Sequence, residues 1–201
     1  MYQPKPLYKI TASLLNSWQM IFDCEPEEEL VTYDNFMRIL RRERMAPKLD
    51  MLRVVDFIKQ CENNKIKNIS NIIVNGSFQN YVERDYIVDD MNVRVSGLLD
   101  VLKEGIIYDI KRVDDYELQD YYTDWKPSVY FALVPEAYEF RFLIASGYND
   151  EYLDILTEKY TRDKAIHMRI VIKMFYNWLQ DMKLFDVYKN NWQIDQKTKE
   201  K

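Results

Sequence analysis

The chain has 201 residues, enough for one domain with a sizeable hydrophobic core, and its 47% hydrophobic and 14% aromatic content excludes a disordered polymer. The formal charge of -5 lends no support to a uniformly basic surface that binds nucleic acid without discrimination. With four glycines and six prolines there are few breakers, so regular elements should fill most of the length.

In chain order, residues 11–22 (TASLLNSWQMIF) predict a helix capped by Thr11 or Ser13, with Leu14, Leu15, Trp18, Ile21 and Phe22 among its apolar positions. The acidic stretch 25–29 contains Pro26 and reads as a turn or exposed edge. Residues 33–44 (YDNFMRILRRER) predict a short helix with a basic face, interrupted by Pro47. A clearer helix is predicted over 49–61, where Leu49, Leu52, Val55 and Ile58 recur every third residue. Asp50 and Asp56 fall toward the opposite edges of that helix, so one of them could face a cleft.

After the Asn75-Gly76 turn the period changes toward two. Residues 81–88 and 93–101 predict neighbouring strands. A tight turn at 103–105 leads into a third strand, 106–113 (IIYDIKRV), with Asp109 and Lys111 on one face and Tyr108 and Ile110 on the other. A helix over 128–134 follows Pro127, and 138–145 returns to strand character. Residues 150–184 predict a long, interrupted helical element whose packing stripe is Ile166, Ile170, Met174, Trp178 and Leu179. The polar tail should fray from about residue 193, and neither a repeat nor a linker divides the chain, so one domain spans 1–201.

Two distant cysteines, Cys24 and Cys61, provide neither a disulfide framework nor a metal cluster, and the single histidine, His167, excludes a multi-histidine site. No apolar run approaches a membrane span and the opening lacks the order of a signal peptide, so a cytoplasmic protein without membrane partners is expected. The chemistry-bearing pattern is the hairpin. Antiparallel pairing across the 103–105 turn could bring Asp100 close to Asp109, and Lys111 projects from the same face as Asp109. Hard carboxylate oxygens in that arrangement suit Mg²⁺ or Mn²⁺ and phosphoryl transfer. Neighbouring carboxylates stabilise a charged lysine, so Lys111 is expected to position water and assist electrostatically before it abstracts a proton.

At these residues the chain resembles the PD-(D/E)xK nuclease superfamily, in particular phage-associated RecB-like and Cas4-like exonucleases. The family pattern G-x-x-D, turn, D-x-K appears as Gly97-Leu98-Leu99-Asp100 followed by Asp109-Ile110-Lys111. The resemblance implies an α/β fold: a restriction-endonuclease-like core with a central mixed sheet flanked by helices. It implies Asp100 and Asp109 as metal ligands, the Ile110 carbonyl as a further ligand and Lys111 as a catalytic group. Leu49-Asp50 stands nearest to the family's Phe-Glu pair on a preceding helix, which makes Asp50 the third acidic ligand, with Asp56 and Glu62 as competitors. Cys24 lies near a position some relatives use for an iron–sulfur cluster, but the partner cysteines are missing and no such cluster is expected. The family's S-x-Q-H-x-x-Y segment corresponds to Asp124–Tyr130, where Tyr130 fits and Lys126 replaces the glutamine.

The implied activity is metal-dependent hydrolysis of DNA phosphodiester bonds, from an end, in phage recombination or DNA processing. Arg41, Arg42, Arg44, Arg112 and Lys126 are candidate phosphate contacts, and Trp125 and Tyr130 are candidate stacking groups for a frayed base. Nuclease relatives that track DNA form rings or recruit a helicase, so a homo-oligomer or a recombination partner is compatible with the resemblance. Competing readings are a noncatalytic nucleic-acid- or protein-binding module on the same scaffold, and a structural subunit.

Overall fold

The computed structural model describes residues 5–43, 71–113, 116, 124–146 and 154–194. The elements are β1 (Leu7–Thr11), α1 (Ala12–Asp23), α2 (Glu29–Leu40), β2 (Ser77–Val88), β3 (Met91–Lys103) and β4 (Ile106–Val113). They continue with α3 (Lys126–Leu133), β5 (Glu139–Ser146), β6 (Asp154–Thr161), α4 (Met168–Asp181), α5 (Phe185–Trp192) and β7 (Gln193–Ile194). Seven strands form one sheet in the order β6-β5-β4-β3-β1-β7, with β2 also on β3. Pairings β1–β3 and β4–β5 are parallel and the others antiparallel. This mixed sheet flanked by helices is the expected α/β architecture.

Turn chemistry sets the two hairpins. Asp89 and Asp90 join β2 to β3 with φ of 45 and 66, and Glu104 and Gly105 join β3 to β4 with φ of 51 and 77. Positive φ at both central residues matches the right-handed strand twist, which makes such two-residue loops the favoured hairpin connection. Midway along β3, opposite Ser96, Thr11 closes β1 and caps α1, its Oγ1 accepting the Leu14 N–H at 3.1 Å. That single residue turns the chain from sheet to helix as its β-region φ and side-chain oxygen allow.

The larger core lies between the sheet and helices α1 to α5, around Ile10, Trp18, Phe36, Phe140, Phe142, Phe175 and Tyr188. Each such side chain stabilises the fold by about 1.5–3 kcal/mol through burial. A smaller cluster of Val101, Tyr108, Leu143 and Ala145 packs with Ile72, Ile73 and Ile106. The ends of the fold are tied together: Tyr188 Oη donates to Lys9 O at 3.2 Å and Trp192 Nε1 to Leu40 O at 2.8 Å.

Several expectations are corrected. The element over 150–184 is not one interrupted helix: β6 pairs with β5 along its whole length before α4 begins. Its sequence, DILTEKYT, gains its ladder partner only when β5 folds beside it, so tertiary pairing overrides the helical reading. The packing stripe of α4 is out of phase over its first three members, while Trp178 and Leu179 pack against the core as expected. Ile166, Ile170 and Met174 are exposed, whereas Met168, Val171, Ile172, Phe175 and Leu179 are buried. Both rows have helical spacing, and the row that includes Phe175 meets Trp18 of α1 and Tyr188 of α5. The second helix begins four residues earlier than expected and ends at Leu40, so Arg41 and Arg42 leave the helix face for the turn after it. The tail does not fray at 193: Gln193 and Ile194 pair with Tyr8 and Leu7. The helix expected over 49–61 lies outside the described residues, as do Asp50, Asp56, Cys61 and Glu62.

Candidate active site

The site is built where the sheet forks. β2 runs along one edge of β3 from Ser77↔Leu102 to Val88↔Met91. The opposite edge is shared: β1 pairs with Asn92–Ser96 and β4 with Val101–Lys103. Between them, Gly97 to Asp100 have no strand on that edge among the described residues. β4 leaves β3 after Tyr108 and continues with β5 to Val113↔Ser146. Extending the Val101↔Tyr108 register by one step sets Asp100 opposite Asp109, at the mouth of the fork.

Strand alternation slips at this point. Leu99 packs in the larger core, Val101 in the smaller one, and Leu102 again against the larger. Asp100 therefore absorbs one position of the alternation, and the ladder to β2 skips it and Gln79, whose φ is 52. Such irregularities re-aim a side chain next to a site. Here the Asp100 carboxylate turns along the fork, and its Oδ2 accepts the Ile110 N–H at 2.9 Å. A β4 backbone group released from the ladder thus finds its partner in a side chain of β3.

Asp109 is buried, at 8% exposure. The Lys111 ammonium lies 2.7 Å from its Oδ2, and that of Lys126 lies 3.7 Å from the same atom. The contacts are ion pairs by distance without hydrogen-bond alignment, so this buried oxygen has no aligned donor among the described residues. Lys126 opens α3, whose Tyr130 donates from Oη to Leu98 O at 2.8 Å. The helix reaches β3 because Gly97 has no side chain. A Cβ there would meet Tyr130 Cε1 at 2.7 Å, Leu133 Cδ1 at 3.3 Å and Ala12 Cβ at 3.4 Å. The start of α3 is fixed twice more. Asp124 Oδ1 accepts the Lys126 N–H, and Gln19 Oε1 of α1 accepts the Trp125 N–H, each at 2.7 Å.

The electrostatics follow from burial of like charges. Burial, then the charge of Asp109, raises the Asp100 carboxyl above its usual range, with the Ile110 N–H opposing. Burial likewise raises Asp124, against the pull of Lys126. For Lys111, burial works against the ammonium, but Asp109 beside it prevails and the group is held protonated above the ordinary lysine value. Burial lowers Lys126, with Asp109 opposing and the neighbouring Lys111 reinforcing it. The site is therefore a knot of carboxylates and ammonium groups in which a hard cation and an anionic phosphate both find complementary partners.

Asp100, Asp109, Ile110, Lys111, Lys126 and Tyr130 converge here. Asp50 and Arg44 lie outside the described residues, as does the Arg112 side chain, although its backbone belongs to β4. Arg41 and Arg42 stand elsewhere: Arg41 pairs with Glu43 at 3.7 Å, while Arg42 donates to Asn191 O and lies over the Trp192 ring. Tyr130 is no stacking platform for a base, because its ring is buried and stacks on Phe140. Trp125 meets Trp18 edge-on at 4.8 Å and lines a cleft of about 960 Å³ together with Gln19, Asp124 and Phe131. Asp124 and Gln19 were missed in the sequence reading. The signal for Asp124 was local, since Asp-x-Lys-Pro is a helix-start pattern.

SSO0001 shares this fold. The two structures match with a TM-score of 0.51 at 10% sequence identity, covering 91% of this chain and 79% of that one. A candidate exonuclease from Eubacterium rectale matches with a TM-score of 0.44 at 13% identity, over 95% of this chain and 71% of that one. Rai1 from Scheffersomyces stipitis matches at 0.37 and 12% identity, over 87% and 59%. These last two likenesses, with TM-scores under 0.5, add nothing to the first. No protein-family model matches the chain. No curated protein matches it either.

The carboxylates of Asp100 and Asp109 also fit a divalent ion. Mg²⁺ is commonly held by one or two carboxylates with water and substrate phosphate completing its shell. The buried Asp109 oxygen already faces the Lys111 and Lys126 ammonium groups, so an ion there would share it with them. Among the described residues no three acidic, histidine or cysteine side chains group as a complete protein cage.

Proposed function

We propose that the chain is a divalent-metal-dependent deoxyribonuclease that hydrolyses phosphodiester bonds from DNA ends, as in phage recombination or DNA processing. The observation that carries this reading is the fork itself, where Asp100 and Asp109 follow the last ladder pair, Val101↔Tyr108, and Lys111 lies against Asp109. Asp100, Asp109 and the Ile110 carbonyl would hold Mg²⁺ or Mn²⁺, with Asp50 as a further ligand. The ion would supply an activated water and neutralise charge on the phosphate. Lys111, held protonated, stabilises the negative charge that develops on the phosphoryl oxygens and orients the attacking water. Ile110 holds the Asp100 carboxylate through its N–H, so the geometry of one strand fixes a side chain of the other. Lys126 adds positive charge to the same space.

A second reading, a module on this scaffold that binds nucleic acid without cutting it, is favoured by the closeness of both ammonium groups to Asp109. End-labelled single- and double-stranded DNA separates the two readings. Cleavage is expected with Mg²⁺ or Mn²⁺ and should vanish in Asp109→Ala and Lys111→Ala. Absence of cleavage by folded wild-type protein with both ions would overturn the nuclease reading.

A further inference from the structure

We infer that the cleft beside Trp125 is a pocket for one unpaired nucleobase, so that the chain takes single-stranded or frayed DNA ends in preference to intact duplex. That the base comes from DNA rests on the nuclease reading above; the pocket itself is independent of any ion at the fork. Its volume, about 960 Å³, lies within the range of small-molecule sites. Aromatic rings frame it. Trp18 is met T-shaped by Phe22 at 5.7 Å and by Trp125 at 4.8 Å, and all three residues line the cleft. Trp18 is sunk in the core at 2% exposure, whereas Phe22 is 58% exposed and Trp125 is half-buried. These two rings keep surface that core packing does not cover, and every base has a π face that can stack on such a ring.

A second observation points to a ligand that carries an acceptor. The buried Trp18 Nε1–H has no hydrogen-bond partner among the described residues. Buried donors are nearly always paired, and an indole N–H can only donate. A ring nitrogen or carbonyl oxygen of a base set against the indole would meet that need. Charge decides which part of a nucleotide enters. Asp23, Asp124 and Glu158 line the cleft against Lys159 and Lys164, so its wall has an excess negative charge when all are ionised and disfavours a phosphate. The ammonium groups of Lys111 and Lys126 lie instead at the fork. Trp125 and Lys126 are consecutive, and their backbone N–H groups are held by Gln19 and Asp124 at the start of α3. One nucleotide can therefore present its base to Trp125 and its phosphate to Lys126. In a duplex the base is paired and stacked, so only an unpaired one can enter.

Fluorescence titration without divalent ions reads the pocket with nothing cut. The probes are single-stranded DNA with the fluorescent base aminopurine at either terminus, blunt duplex with the same base paired in its interior, and the aminopurine deoxynucleoside monophosphate. Wild type should quench a terminal label by stacking and leave the interior label unchanged. Trp125→Ala and Phe22→Ala should each weaken binding of the terminal label about 10-fold and restore its fluorescence, whereas Trp125→Phe keeps most of both. Trp18→Phe, which keeps a ring and loses the donor, should weaken binding about 5-fold. Circular dichroism verifies the fold, and Phe22 provides a variant at an exposed position. Terminal labels that stay bright at saturating protein, or folded Trp125→Ala and Phe22→Ala proteins that quench like wild type, would overturn the pocket. Quenching of the mononucleotide but not of the strand would overturn its assignment to a DNA end. Terminal quenching without cleavage in Mg²⁺ or Mn²⁺ would remove the hydrolytic reading and leave the pocket, and cleavage with bright termini would do the reverse.

Discussion

The two hairpins that share β3 use the same kind of turn and end differently. In the β2–β3 hairpin the ladder runs nearly the full length of both strands, and its charges pair with one another across it. Arg94 there bonds Asp85 at 2.7 and 2.8 Å and lies 3.2 Å from Glu83. In the β3–β4 hairpin the ladder stops after Val101↔Tyr108, and the next charges, Asp100 and Asp109, turn into the fold beside two lysines. A closed ladder satisfies its own backbone and leaves its side chains with only a modest energetic role. An opened ladder creates both a cleft and unpaired backbone groups, and side-chain chemistry fills them.

The largest effect should come from the opened hairpin. Asp109→Ala is expected to lower kcat/KM for DNA hydrolysis by at least ~100-fold, read in a steady-state assay. Retention of more than a tenth of the activity would remove the centre from the fork. Loss of the carboxylate also leaves Lys111 and Lys126 without their nearest anionic partner, which should cost about 1–3 kcal/mol in urea unfolding.

Next in size is the seat of α3. Gly97→Ala forces a Cβ to within 2.7 Å of a Tyr130 ring that is held by both Phe140 and Leu98 O. The expected destabilisation is about 1–3 kcal/mol, with a matching fall in the denaturation midpoint. An unchanged midpoint would mean that the helix does not rest on the strand in this way.

A smaller, pH-dependent effect belongs to Asp124. Its folded carboxyl is raised by burial, so the native state keeps this proton to higher pH than the unfolded chain does. Stability from this group is present at low pH and declines as pH rises through the usual carboxylate value toward the raised one. Asp124→Asn keeps the acceptor for the Lys126 N–H and removes the titration. The variant should therefore gain on wild type as pH climbs through that window, and parallel stability curves would contradict the assignment. The smallest effect is reserved for the closed hairpin: Arg94→Ala, which removes the bidentate pair with Asp85, should cost about 1 kcal/mol of unfolding free energy. A larger loss there would blur the contrast between the hairpins.

Much of this was legible locally. The Thr11 cap, the strand over 106–113 and the opposition of Asp100 to Asp109 are short-range consequences of residue type and turn length. Asp109-x-Lys111 shares a face by strand period alone, whatever the rest of the chain does. Arg42, in contrast, reads as part of a basic helix face until Asn191 and Trp192, far along the sequence, draw it away.

The sequence by itself determined the hairpins, the spacing of the charged residues and the first turn of α1, because these depend on backbone preferences and neighbours within a few positions. Only the tertiary structure decided that β4 parts from β3, that 154–161 is a strand, and that the Phe175 row of α4 faces inward. It also decided that Lys126 and Asp124 join the acidic pair. Each of these depends on a partner distant in sequence, whether a ladder edge, a packing surface or an opposing charge.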